Sequence, residues 1–324
     1  MSDILEPSPP VLPTEPPPVK KKSRWGRYVL YALATLGVLA ILLVVAAFYK
    51  ANKGPVLVKI DETASIDESM TRNYGKYSPE KKGWVYVDEN NQPFLVRVIQ
   101  QARIEAVGAS DELYFAVSGT GLGASQSSFY GVFQIRSDGK GGDGLVEISD
   151  PHRYDSPVPV TPERVRFEAL SENTWAWVIK TQDATNPKQD RVSVNNVMLA
   201  PHGDTIAVLA NFKASAESDP GDCAQANAEH ESWQKQMKQY ENLPENASDE
   251  DVMSAEALSD NEPRRCERVR WSYTTAPVVS AQPGPLTVSV KGSQYGVPVE
   301  GKTWKVMFDS KAFVYNVPAE LIPD

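Results

Sequence analysis

VSVNNVMLAPHGDTIAVLANF, residues Val192 to Phe212, holds two runs rich in Val, Leu, Ile and Met on either side of Pro201, Gly203 and Asp204. β-Branched and large apolar side chains suit a pleated, half-buried surface, while Pro, Gly and Asp favour turns, so Val192 to Leu199 and Thr205 to Phe212 are expected to be strands. The pattern extends both ways along the chain. Towards the N-terminus it covers Trp84 to Val87, Phe94 to Ile99, Leu113 to Ser118, Val132 to Arg136, Leu145 to Ile148, Val165 to Leu170 and Trp175 to Lys180. Towards the C-terminus it covers Val269 to Tyr273, Leu286 to Val290, Trp304 to Asp309 and Phe313 to Val317. DENNQP (Asp88 to Pro93) and SDGKGGDG (Ser137 to Gly144) supply turn chemistry between them. Strands so spaced, without long helices between, predict an all-β domain of antiparallel sheets over residues 81–324, propeller-like or a sandwich. Residues 49–80 are less regular and read as a stalk plus a first strand.

One segment breaks the strand pattern, the insert 222–266. Asp222 with Gln225 fits a capping box, and Ala226, His230, Trp233, Met237 and Tyr240 recur at three- and four-residue steps, as on one face of a helix. Leu243 and Pro244 end that helix; Ser248 with Asp251 opens a second, through Met253, Ala255 and Leu258. The expected product is a helical hairpin between strands, with Cys223 and Cys266, the only two cysteines, at its feet. Antiparallel helices bring those feet together, so a disulfide is expected in an oxidising compartment. The insert carries 11 acidic residues against four basic ones, a net of −7. A tethered acidic arm with an apolar stripe suits a protein partner, with His230, Trp233, Met237 and Tyr240 as anchoring side chains. The simpler account for Trp233 and Met237 is packing on the parent sheet.

APHGDTIAVLANF, Ala200 to Phe212, resembles one repeat of the TolB-type β-propeller family, in which a Pro-Asp-Gly turn feeds an apolar strand; His202 stands here where that turn has Asp. YGVFQIRSDGKG, Tyr130 to Gly141, is a second, looser likeness. The resemblance covers 13 residues in its better copy and implies a propeller repeating at ~40 residues. It implies no activity.

The chain of 324 residues has a net charge of −9. Its first 27 residues are Pro-rich, then basic, with five basic residues against three acidic ones, which leaves −11 for everything after them. Such a balance disfavours nucleic acid, whose phosphates require clustered Lys and Arg. Tyr28 to Phe48, YVLYALATLGVLAILLVVAAF, carries no charge over 21 residues, enough at ~1.5 Å per residue to match a ~30 Å hydrocarbon core. Lys20, Lys21, Lys22, Arg24 and Arg27 before this run predict a cytoplasmic tail at 1–27, one membrane helix at 28–48 and an extracytoplasmic domain beyond. A signal peptide cleaved after Ala47 is the competing reading, but its apolar core would exceed the usual ~7 to 15 residues. A bacterial inner membrane and periplasm are the expected setting. Asn246-Ala247-Ser248 is a glycosylation acceptor that leaves a eukaryotic secretory route open.

Catalytic signals are sparse. His152 lies between Asp150 and Asp155 without a third spaced ligand, and His202 sits in a turn. SGTGLGASQSS, Ser118 to Ser128, lacks the last Gly of both a dinucleotide loop and a nucleophile elbow around Ser125. Asp138 and Asp143 lack the distal Glu of a calcium loop. Trp175 and Trp177 share one strand face, usually a core arrangement. Ser78 with Lys81, Ser259-Asp260-Asn261 and Lys302-Thr303 follow the order of the three elements of penicillin-binding proteins, but Trp304 stands where that family needs Gly. The reading from sequence is a single-pass, extracytoplasmic binding or scaffolding protein without a cofactor. An envelope hydrolase is the alternative, and a ligand sensor has topology alone in its favour.

Overall fold

A computed structural model describes residues 36, 39–44, 57–105, 109–123, 127–140, 144–183, 191–240 and 248–323, with only the backbone at 153–155. The chain divides into two compact units, Met1–Pro55 and Val56–Asp324. In the first, residues 36 and 39–44 are helical and exposed. The expected tail at 1–27 and most of the expected span at 28–48 lie outside the described residues. Among the described residues no helix is long and apolar enough to cross a membrane.

The second unit consists mainly of antiparallel strands. β1 (Tyr77–Ser78), β2 (Gly83–Val87), β3 (Pro93–Ile104), β4 (Glu112–Gly121), β5 (Ser128–Ser137) and β6 (Leu145–Ser156) form a six-stranded meander in chain order. β7 (Val165–Ser171), β8 (Thr174–Gln182), β9 (Val192–His202), β10 (Thr205–Ser218), β11 (Glu267–Thr275), β12 (Leu286–Gln294) and β13 (Val297–Pro298) form a second meander. β14 (Thr303–Val306) pairs with β12 to complete its eight strands. β15 (Phe308–Asp309) and β16 (Val314–Tyr315) form a small separate ladder. Every expected strand falls on an observed one, and most extend further.

Side-chain alternation sets the layers. On β4, Leu113, Phe115 and Val117 point to one core, with Phe94, Phe133 and Ile135. Tyr114 and Ala116 point the other way, to a core shared with Trp177, Ile179, Val197 and Leu199 of the second sheet. Covered on both faces, β4 reads as a nearly continuous apolar run rather than an alternating one. The two sheets are therefore stacked through a common core, each fully buried Ile, Leu or Val in it contributing ~1.5 to 3 kcal/mol. The TolB-like stretch forms β9 and β10, two middle strands of the eight-stranded meander, rather than part of a four-stranded blade.

Residues 62–74 differ from the stalk expected at 49–80. They form helix α1 (Glu62–Tyr74), which closes the outer face of the six-stranded sheet. Ile66, Met70 and Tyr74 recur every four residues and are buried, while Asp61 accepts the Ala64 N–H at 3.1 Å as N-cap. Gly75 ends the helix at φ +83°, where a side chain would be strained. Three apolar residues among polar neighbours make too narrow a stripe to stand out beside the strand runs.

The second sheet curls strongly. β7 and β11 have three strands between them, which in a flat sheet places them about 19 Å apart. Yet the Tyr273 hydroxyl of β11 donates to Glu168 Oε1 of β7 at 3.0 Å. Small residues on the concave face, Ala176, Ala200 and Ala210, leave room for the curl. Register shifts at Ala169/Ser171, Val208/Ala210 and Lys213/Ser215 add local twist. One end of this concave face is filled by Phe212, Leu286, Val288, Tyr315 and Leu321. The other end is open.

Candidate functional site

Two features stand at the same end of the curled sheet. The first is the insert, which replaces a turn between β10 and β11, neighbours whose last ladder pair is Ser218 with Glu267. Helices α2 (Cys223–Tyr240) and α3 (Asp249–Asp260) form the expected hairpin. Asp222 Oδ1 accepts the N–H groups of Ala224 and Gln225 at 3.0 and 3.1 Å, and Ser248 accepts from Asp251 at 3.2 Å. Asp249, Glu250 and Asp251 in the first turn of α3 complement the helix dipole. Leu243, Pro244 and Asn246 lie outside the described residues. A Cys223–Cys266 disulfide joins the feet, with Cα atoms 5.2 Å apart. Asp219 approaches both sulfurs, but as a disulfide they are not thiolates available to a metal.

Of the four stripe residues, His230 and Trp233 are engaged within the protein. His230 is 4% exposed, stacks on Tyr295 at 5.9 Å and approaches Glu262 Oε1 at 3.3 Å through Nε2. Burial pulls its pKa down, with Arg265 adding to that and Glu262 opposing it. Trp233 Nε1 donates to the Leu258 carbonyl at 2.8 Å, joining α2 to α3. Met237 and Tyr240 are half-buried. Trp233 thus meets α3, and His230 meets Tyr295 at the β12–β13 turn.

The second feature is a cleft of about 470 Å³ at the open end of the concave face. Arg164, from the 3₁₀ turn before β7, Arg166 of β7, Lys180 of β8 and Arg270 of β11 meet there, beside Trp271 and Tyr273. Lys180 lies opposite Asn196 in the β8–β9 register, and Arg270 opposite Ser215 in the β10–β11 register. Arg166 contacts Glu168 at 3.2 Å and sits over the Tyr273 ring at 4.8 Å. Arg164 Nη2 donates to Gln182 Oε1 at 3.3 Å. Its buried Nη1, and Oδ1 of Asn196, have no hydrogen-bond partner among the described residues. Asn196 is 2% exposed, so that acceptor is withdrawn from bulk solvent.

Electrostatics mark the convergence. Lys180 is pulled below the usual lysine range by burial and then by the positive charges of Arg166, Arg270 and Arg164. Tyr273 is pushed up, mainly by burial and then by Glu168. No carboxylate or imidazole is among the lining side chains, and Glu168 beside them is engaged by Arg166 and Tyr273. Arg166, Lys180 and Arg270 are exposed and Arg164 is half-buried, so the like charges converge at a cleft open to solvent, where an anion would offset their repulsion. The lining of the cleft is therefore cationic, with Lys180 and Tyr273 as its shifted titratable groups.

The remaining sequence candidates are scattered. His152 packs against the rings of Tyr74, Tyr86 and Phe129, with its pKa lowered by partial burial against the opposing pull of Asp150. Ser125, Asp143 and the Asp155 side chain lie outside the described residues. His202 stacks on Phe313 at 3.9 Å. Ser78 and Lys81 share the β1–β2 turn, Ser259 is on α3, and Lys302 pairs with Glu320 beside β14. No hydrogen bond or ion pair among the described residues joins those three elements. Trp177 is buried between the sheets and Trp175 stacks on Phe167 at 5.5 Å.

The basic cleft was missed in the sequence because each cation reads singly as a solvated charge on a strand. Arg164 and Arg166 at a period of two, followed by Lys180, were the available signal. No family model, curated protein or solved structure matches this chain.

Proposed function

We propose that this chain is an anion-binding protein of the extracytoplasmic face, held to its membrane by one span at 28–48 with the tail 1–27 in the cytoplasm. The observation that carries the binding reading is the meeting of Arg164, Arg166, Lys180 and Arg270 over a buried floor. The uncharged run at 28–48, the five basic residues before it and the disulfide beyond it support the topology. The ligand enters the open end of the curled sheet, next to the disulfide-tied hairpin, whose acidic charge keeps other acidic surfaces at a distance. The acidic outer face of the hairpin is available to a protein partner as well.

Titration calorimetry on the detergent-solubilised full chain tests the binding reading. The dicarboxylate tartrate should bind, and replacing Arg164 and Arg270 together by Gln should weaken it at least about tenfold, because each charge-assisted bond contributes ~1.5 to 3 kcal/mol. Equal affinity in the folded double variant would refute the assignment of the cleft.

A further inference from the structure

Trp271 belongs to two clefts. One is the basic cleft; the other, of about 360 Å³, lies on the side of Trp271 towards β12 and β14. Register explains the placement. Tyr273 of β11 lies opposite Val288 of β12, and Val288 opposite Trp304 of β14, which in a flat sheet puts Trp304 two strand spacings, about 10 Å, from Tyr273. Trp271, opposite Val290, is the next residue of β11 on that face. Trp271, Tyr273 and Trp304 all pack on the core beneath, and both indoles are half-buried. Val269, Val290, Pro298 and Val299 add apolar groups to the lining of the second cleft. Its charges are matched or at the rim: Glu320 accepts from Trp304 Nε1 at 2.5 Å and pairs with Lys302 at 3.1 Å, while Glu300 is exposed.

Cations on one side of Trp271 and apolar groups on the other suit a ligand with an anionic head and an apolar body. Resting on the anion-binding reading, we infer that the ligand is an aryl-substituted carboxylate, its carboxylate held by Arg164, Arg166, Lys180 and Arg270 and its ring laid past Trp271 against Trp304. Aromatic rings pair edge-to-face or offset-stacked at ~4.5 to 7 Å between centroids, a geometry that two half-buried indoles on one sheet face offer to a third ring. A volume of about 360 Å³ accommodates that ring. Small hydrophilic acids fill the first cleft and leave the second to water. Uncharged arenes reach the second cleft but leave the cations without a counter-charge.

Succinate, benzylsuccinate and benzyl alcohol separate the two contributions by titration calorimetry on the full chain in detergent, with the heats of injection into protein-free detergent subtracted. The two acids carry the same charge at neutral pH and differ by one benzyl group, while benzyl alcohol has the ring and no charge. Benzylsuccinate should bind at least about tenfold more tightly than succinate, a difference of ~1.4 kcal/mol, and benzyl alcohol should not bind measurably. Trp304→Leu should bring benzylsuccinate down towards the affinity of succinate and leave succinate unchanged, since Trp304 lines the second cleft and not the first. Equal affinities of the two acids in the unaltered protein overturn the aryl assignment, and that comparison needs no variant to fold. A benzyl gain that survives Trp304→Leu, or benzyl alcohol binding as tightly as benzylsuccinate, overturns it too. If succinate binds and the Arg164→Gln, Arg270→Gln protein loses it, the anion-binding reading survives such a failure. If neither acid binds, both fall together.

Discussion

Lys180 has its titration altered by burial and by its cationic neighbours. Burial and the guanidinium groups of Arg166, Arg270 and Arg164 all favour its neutral amine, so it loses its proton below the ordinary lysine value of 10.5. A bound carboxylate favours the ammonium and opposes that loss. Affinity for tartrate is therefore full while Lys180 is protonated and falls as pH rises through its lowered value, by about tenfold for one lost charge-assisted bond. Tyr273 is shifted upward and keeps its proton in that window, so it does not mimic the effect. Calorimetric titrations across the alkaline range should show the fall in the unaltered protein and a flatter profile in Lys180→Arg, whose charge persists. Identical profiles would remove Lys180 from the site.

Between elements, the most concentrated polar contact joins α1 to β6. Glu147 accepts from Ser69 Oγ at 2.5 Å, Arg72 Nη2 at 2.6 Å, Asn73 Nδ2 at 3.1 Å and Ser149 Oγ at 2.9 Å. Burial pushes its pKa up, but the bonds from Ser69, Arg72, Ser149 and Asn73 outweigh this and hold it below the ordinary 4.5. A depressed carboxylate contributes stability that is present above about pH 4.5 and is lost as pH falls through the lower folded value. Glu147→Gln should cost about 2 kcal/mol at pH 7 and progressively less in acid, read from urea unfolding at several pH values. A constant difference across pH would mean that packing rather than charge is being measured. The helix this carboxylate anchors was not legible in the sequence. Its inward face is only Ile66, Met70 and Tyr74, whereas each strand displays its pattern in consecutive residues. The hairpin was legible because caps, stripe and paired cysteines agree over one short stretch. The cleft was not, because its cations come together only when β7 curls towards β11, and that bend depends on Ala residues and register shifts that no local pattern announces.

Over the whole molecule, charge and covalent structure divide the work. The part after residue 27 carries −11, of which the insert holds −7, yet the cleft beside the insert is cationic. Surface charges more than ~8 Å apart are screened at physiological salt, so the distant acidic residues weigh less on a small anion than the cations lining the cleft. A net charge that argues against polyanions such as nucleic acid is therefore compatible with a small anion at one point. All three apolar cores, beneath α1, between the sheets and beneath the C-terminal ladder, lie within Val56–Asp324. That unit should fold without the first 55 residues and stay in the aqueous phase, whereas the full chain should need detergent for extraction. It should unfold cooperatively with the Cys223–Cys266 bond intact. Reducing that bond frees a separation of 43 residues, which the chain-entropy account equates to ~4 kcal/mol. The loss should appear first in the hairpin, where α2 buries only Ala226 and His230 and α3 buries no residue. Limited trypsin digestion followed by mass mapping should then cut at Lys235 and Lys238 after reduction, while the strands of both sheets remain protected. Cleavage spread evenly over sheets and hairpin would show that the disulfide supports the whole unit rather than its insert.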